Sequence, residues 1–111
     1  MSALYIMRYV GIGTGSSGFG AIYVGRNTIV GVDVGNGRYT GGYTEMNGRI
    51  RGQLTLTLPN GGTLVTGQQV APGTSIPMAF DWPANFTSGP QSIAVQGRNV
   101  QATFEKVGDV P

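Results

Sequence analysis

The sequence predicts an all-β fold, an eight-stranded antiparallel up-and-down barrel, on three observations. Apolar and polar side chains alternate strictly in several runs, most cleanly from Ile50 to Leu58. Asn-Gly and other Gly-containing breaks separate those runs at hairpin spacing. Twenty of the 111 residues are Gly, where the average is about 7%. With 6 Pro and no three-residue period, that excess is not collagen. With 40% hydrophobic and 11% charged residues, it is not disorder either. The length suits one domain over residues 1–111.

Residues 4–13 form the first predicted strand. Tyr5, Met7 and Tyr9 share one face; Leu4, Ile6, Val10 and Ile12 share the other, where Arg8 alone is polar. A strand apolar on both faces needs a core on one side and a second partner, such as another subunit, on the other. Residues 17–25 and 28–34 follow, also largely apolar and joined by Gly25-Arg26-Asn27. Asn36-Gly37 leads into a strand over 38–45. Asn47-Gly48 then turns the chain into 49–58, because both residues tolerate φ > 0. In 49–58, Ile50, Leu54, Leu56 and Leu58 take the core face.

Residues 59–73 are a long connection with room for one short strand at 64–66. Residues 74–82 alternate Ile76, Met78, Phe80 and Trp82 with Pro77, Ala79 and Asp81. Pro77 has no N–H to donate, so this strand lies where the ladder is incomplete. A single helical turn fits at 83–87. Strands at 91–97 and 99–107, with Gly97-Arg98-Asn99 between them, complete the set. Gly11, Gly20, Gly31, Gly41, Gly42 and Gly52 fall inside strands, where each costs roughly 0.5–1 kcal/mol relative to Ala. A closed, strongly coiled sheet gives a reason for them. Closure also removes exposed edges, and an eight-stranded barrel holds packed side chains or one small ligand.

The chemistry is sparse. The chain has no Cys and no His, which excludes disulfides, thiol catalysis, the usual triads and the commonest metal ligand. No two of Asp33, Glu45, Asp81, Glu105 and Asp109 have a spacing that implies a shared catalytic site. No catalytic residue, metal site or cofactor is assigned, and the chain is predicted to be no enzyme. Gly11 to Ser16 lacks the Gly-Lys-Ser/Thr ending of a phosphate loop. The basic residues stand singly, without the clustered patch that nucleic acid requires. Residues 52–80 carry no charge but are too rich in Gly, Thr, Gln and Pro to span a membrane as a helix. The opening residues have no basic leader pattern. A cytoplasmic protein without nucleic-acid or membrane partners is therefore expected.

Asp33 stands out as a carboxylate inside an apolar strand. It is predicted to cap the backbone of the Gly35–Gly37 turn, a ligand or partner contact being the alternative. Tyr5, Tyr9, Phe19, Tyr23, Tyr39, Tyr43, Phe80, Trp82 and Phe104 are expected in the core and barrel lining. Tyr5, Met7, Tyr9, Tyr39, Tyr43, Leu54, Leu56, Phe80, Trp82 and Phe104 are the candidate lining of a cavity for a small apolar, lipid-like ligand.

Several of these features occur in order: Leu4-Tyr5-Ile6-Met7-Arg8-Tyr9, Gly18-Phe19-Gly20-Ala21, Ile29-Val30-Gly31-Val32-Asp33, Tyr39-Thr40-Gly41-Gly42-Tyr43 and Gly48-Arg49-Ile50-Arg51-Gly52. In this the chain resembles the GrlR-like family of small bacterial negative regulators of type III secretion. The resemblance implies a calycin-like barrel with an apolar interior, a loop plugging one end, and dimerisation through barrel walls. Residues 59–73 would be the plug, and Leu4, Ile6, Val10 and Ile12 the homodimer interface. It also implies a non-enzymatic regulator that binds a protein such as a transcriptional activator through an acidic hairpin. That hairpin falls on Glu45, Met46, Asn47 and Gly48, of which only Glu45 is acidic. Avidins and lipocalins share the architecture, but no motif of either is present.

Overall fold

The computed structural model describes residues 2–111. Eight strands form one antiparallel sheet: β1 (Ser2–Gly11), β2 (Ser17–Gly25), β3 (Thr28–Asp33), β4 (Arg38–Met46), β5 (Arg49–Leu58), β8 (Thr74–Pro83), β9 (Gln91–Val95) and β10 (Arg98–Asp109). Their order across the sheet is β8-β5-β4-β3-β2-β1-β10-β9. Each strand pairs with its predecessor in the sheet except β9, and β1 pairs with β10, which brings the last strand back to the first. The two ends of the sheet, β8 and β9, come together across a seam with no ladder. There the Trp82 indole Nε1 donates to the Ser92 carbonyl at 2.9 Å. The result is a nearly closed barrel, and Pro77 lies on the seam strand β8, paired to Thr55 on its laddered side.

Two of the turns are tighter than their spacing predicts. Gly25 pairs with Thr28, so Arg26 and Asn27 alone turn the chain, at φ 52° and 62°. Val95 pairs with Arg98, leaving Gln96 and Gly97 at φ 50° and 81° as the last hairpin turn. Both are two-residue turns with left-handed central residues, the geometry that matches strand twist. The three-residue turns expected at 25–27 and 97–99 are corrected accordingly. β1 ends at Gly11 rather than residue 13, because the Gly11 N–H closes the turn onto the Ser16 carbonyl at 3.0 Å. Residues 64–66 are not a strand. The long connection instead carries a two-residue ladder between β6 (Gly62–Thr63) and β7 (Gln69–Val70). The expected helical turn is a 3-10 turn at Phe86–Ser88.

Alternation decides what is inside. The buried set comes from the inward positions of all eight strands, joined by Leu64 and Phe86 from the connections. Phe19 is a correction: it is 56% exposed. Gly18, Gly20, Ile22 and Val24 take the inward positions of β2, so the odd-numbered Phe19 and Tyr23 point outward. Gly41 shows why glycine recurs inside these strands. A Cβ there would run into the Gln53 carbonyl oxygen and come within 2.9 Å of the Leu54 Cα. β4 therefore folds over onto β5 more sharply than a side chain would allow.

Candidate functional site

The barrel is filled at one end and hollow at the other. The 3-10 turn inserts Phe86 into the filled end, where it meets Tyr5 at 5.1 Å and Phe104 at 5.3 Å between ring centroids. Trp82 packs there against Phe80 at 4.6 Å and Phe104 at 5.3 Å. Tilted and edge-on aromatic pairs of this kind are the favoured geometries, and they pack this end with side chains.

The other end encloses a cavity of about 210 Å³. Of the ten residues proposed as its lining, Met7, Tyr9, Tyr39, Leu54, Leu56, Trp82 and Phe104 do line it. Tyr5, Tyr43 and Phe80 are buried in the core but do not reach it. Beside Tyr5 the space is taken by Phe86, a side chain the sequence did not mark.

The connection of residues 59–73 covers the hollow end. Leu64, Val65 and Thr66 form its inner surface against the cavity. It is fastened at several points. The Gly61 and Gly73 N–H groups both donate to the Leu58 carbonyl, at 3.1 and 2.9 Å. The Thr14 hydroxyl donates to the Val65 carbonyl at 2.6 Å, and the Arg98 guanidinium to the Thr66 carbonyl at 3.4 Å. Gly11 makes this approach possible: any Cβ at Gly11 would collide with the Val65 carbonyl oxygen.

Two polar features face this apolar space. The first is Asp33. Its Oδ1 accepts the N–H of Gly35 at 3.0 Å and of Gly37 at 2.8 Å. Its Oδ2 accepts the hydroxyls of Tyr9 at 3.0 Å and Tyr39 at 2.8 Å. A carboxylate has about four acceptor sites, so Asp33 is saturated and has nothing left for a ligand. It caps the Gly35–Gly37 turn, as expected, and also anchors two tyrosines from β1 and β4. Burial first, then the neighbouring Tyr9 and Asp33, pushes the Tyr39 phenol far above the ordinary tyrosine range. Burial first, then Asp33, does the same to Tyr9. Both therefore stay protonated and act as donors to the carboxylate.

The second feature is Thr66. Its hydroxyl Oγ1 is buried with no hydrogen-bond partner among the described residues. Leaving such a group unpaired costs about 1–3 kcal/mol. Nothing in the sequence distinguished this Thr from the others, since it becomes buried only when the connection folds over the barrel.

The outer wall has its own pattern. Rows of outward side chains cross from β10 through β1, β2 and β3 to β4. One row reads Glu105, Ile6, Ala21, Val32, Arg38; the next reads Gly108, Leu4, Tyr23, Val30, Thr40. Phe19 and Val34 extend it further, joined by the Val34 N–H donating to the Phe19 carbonyl at 3.0 Å. Val30, Val32 and Val34 are 50%, 47% and 67% exposed. Leu4 and Ile6 belong to this apolar field. Val10 lies apart from it, between Ser17 and Gln101, and Ile12 sits in the turn beyond β1, bonded through its N–H to the Asn99 carbonyl. Glu45, Met46, Asn47 and Gly48 form the exposed β4–β5 turn, with Asn47 and Gly48 at φ 55° and 74°.

Fold and cavity together define a small, nearly closed β-barrel with a covered, mainly apolar chamber. No family model matches the chain, and no curated protein or solved structure matches it. Among the described residues no helix is long and apolar enough to cross a membrane.

Proposed function

We propose that the protein is a carrier or sensor that holds one small, mainly apolar molecule in the covered end of the barrel. The observation that carries this reading is the cavity itself, lined mainly by apolar side chains, with the saturated Asp33 carboxylate and its two tyrosines at one place and the unpaired Thr66 hydroxyl at another. Its size sets the ligand class. At about 210 Å³ it exceeds the roughly 150 Å³ apolar cavity that takes up benzene. It falls below the roughly 300–1,000 Å³ of sites for drug-sized molecules. A monocyclic or bicyclic aromatic, or a short acyl chain, fits; a long-chain fatty acid does not. Thr66 Oγ1 supplies the one polar handle, so a ligand with a single hydroxyl or carbonyl suits it better than a hydrocarbon. Thr66 also borders an outer groove with Ile12, Thr14 and Arg98, so movement of residues 64–66 opens the way in.

Trp82 is the single tryptophan and lines the cavity, so its fluorescence reports occupancy. Titration with 1-octanol or indole should shift its emission, and dodecanoate should not. Thr66→Val should weaken 1-octanol about fivefold or more while leaving n-octane unchanged, because only the alcohol loses a hydrogen bond. Failure of every short probe to bind, with native mass spectrometry showing no retained ligand, would remove this function. A second reading, a non-enzymatic regulator acting by protein contact, is favoured by the apolar outer wall of β1–β3.

A further inference from the structure

Building on the carrier reading above, we infer that the molecule held in the chamber is an amphiphilic carboxylate, with its tail inside and its head on the Arg98 guanidinium in the outer groove. Thr66 joins the two places. It lines the covered cavity and also the groove of about 290 Å³ that it forms with Ile12, Thr14, Arg98 and Asn99. The residue is 3% exposed, and its Oγ1 has no hydrogen-bond partner among the described residues. Its carbonyl accepts from Arg98 Nη1 at 3.4 Å. A head group that pairs with the Thr66 hydroxyl therefore lies beside a guanidinium.

Arg98 is available to an anion. It is exposed and has no carboxylate partner among the described residues. Its long bond to Thr66 occupies one of the five donors of a guanidinium. The connections at the hollow end, residues 12–16, 34–37, 59–73 and 96–97, contain no charged residue. The strand ends beside them supply Arg38, Arg98 and Asp33, and the Asp33 carboxylate is already held by four donors. These charges also set the direction of the ligand. Inside the chamber a second carboxylate would lose its water and meet the Asp33 anion. In the groove the same head keeps one side in water and gains a planar fork of donors that matches its two oxygens. A neutral alcohol reaches Thr66 but gains nothing from the charge, and an ammonium head is repelled by it.

Titration of the full chain with octanoate, 1-octanol and octylammonium, followed by Trp82 fluorescence, tests this at neutral pH. The three probes have similar tails and differ in the charge of the head. Octanoate should bind about tenfold tighter than 1-octanol, and octylammonium more weakly than either. Added salt should shrink the preference for octanoate, because the groove is open to solvent. Arg98→Gln should cut the octanoate-to-octanol preference about tenfold, and Arg98→Lys about threefold, since Lys keeps the charge without the fork. A cover merely loosened by loss of the Thr66 bond weakens both probes alike and leaves their ratio unmoved. Arg38→Gln removes the other cation at this end and should keep the preference within about twofold. Circular dichroism confirms that each variant is folded. If 1-octanol binds and octanoate binds no tighter, the carboxylate ligand is overturned while the carrier reading stands. A preference that Arg98→Gln leaves intact overturns it too. If none of the three probes binds, both fall.

Discussion

Removing the Asp33 carboxylate should cost this protein several kcal/mol. The structure gives the count. Asp33 accepts four donors, two backbone N–H groups and two phenols. Tyr39 is 7% exposed and Gly37 is buried. Asp33→Ala would strand both of their donors away from water, at about 1–3 kcal/mol each. The Tyr9 and Gly35 donors are nearer solvent and add less. A loss of about 4 kcal/mol follows, a large part of the 5–15 kcal/mol typical of a domain. Asp33→Asn should lose about half as much, because its carbonyl oxygen still serves the two amides while its NH₂ group faces two hydroxyls that must turn to accept. Tyr39→Phe alone should cost about 1 kcal/mol. In the Asp33→Ala background it should cost nothing, since the stranded hydroxyl is then gone. Urea unfolding followed by Trp82 fluorescence measures all four variants. If Asp33→Ala costs under about 1 kcal/mol, or if the two losses simply add, the network does not act as described.

The same tyrosine gives a pH dependence. The folded state holds the Tyr39 proton above the pH at which the unfolded chain releases it, near 10. Stability is thus fully present below about pH 10 and falls above it, by about 1.4 kcal/mol per pH unit for this group. Tyr39→Phe should flatten the alkaline limb of an unfolding series; an unchanged slope would contradict the burial argument. At Gly41, Gly41→Val should destabilise by more than about 2 kcal/mol or prevent folding, because the new side chain meets the β5 backbone. A neutral thermal melt for this variant would remove the account of sheet curvature.

Much of the fold was legible because one period governs it. Alternation sorted the inward residues of β5 and β8 from the outward ones, and Asn47-Gly48 fixed a register that runs through β4 and β5. Phe19 differs from expectation because position outweighs aromatic character: Gly18 and Gly20 take the neighbouring inward positions of β2 and leave Phe19 outside. Asp33 was readable as a turn cap from the adjacent Gly-Asn-Gly. Its two tyrosine donors were not, because Tyr9 and Tyr39 lie 24 and 6 residues away and meet it only after β1, β3 and β4 are closed into a barrel. Phe86 and Thr66 share that difficulty. Both sit in connections without periodicity, and each acquires its role by folding over an end of the barrel.

The order of strands keeps the two proposed surfaces apart. The cover at residues 59–73 leaves from β5 and returns to β8, the strands at one end of the sheet order. The apolar wall centres on β2, four steps further along that order from β8. In an eight-stranded barrel that is the opposite side. A partner seated on β1–β3 therefore covers none of the strands that carry the cover. Within β3 the separation is finer: Asp33 points inward to hold the hollow end together, and its neighbours Val32 and Val34 point outward into the wall. One strand serves both surfaces because successive side chains leave it on opposite faces. A shift of register by one residue would bury two valines beside the tyrosines and expose the carboxylate, destroying both at once. The four donors on Asp33 thus favour the same register of β3 that the ladders to β2 and β4 set.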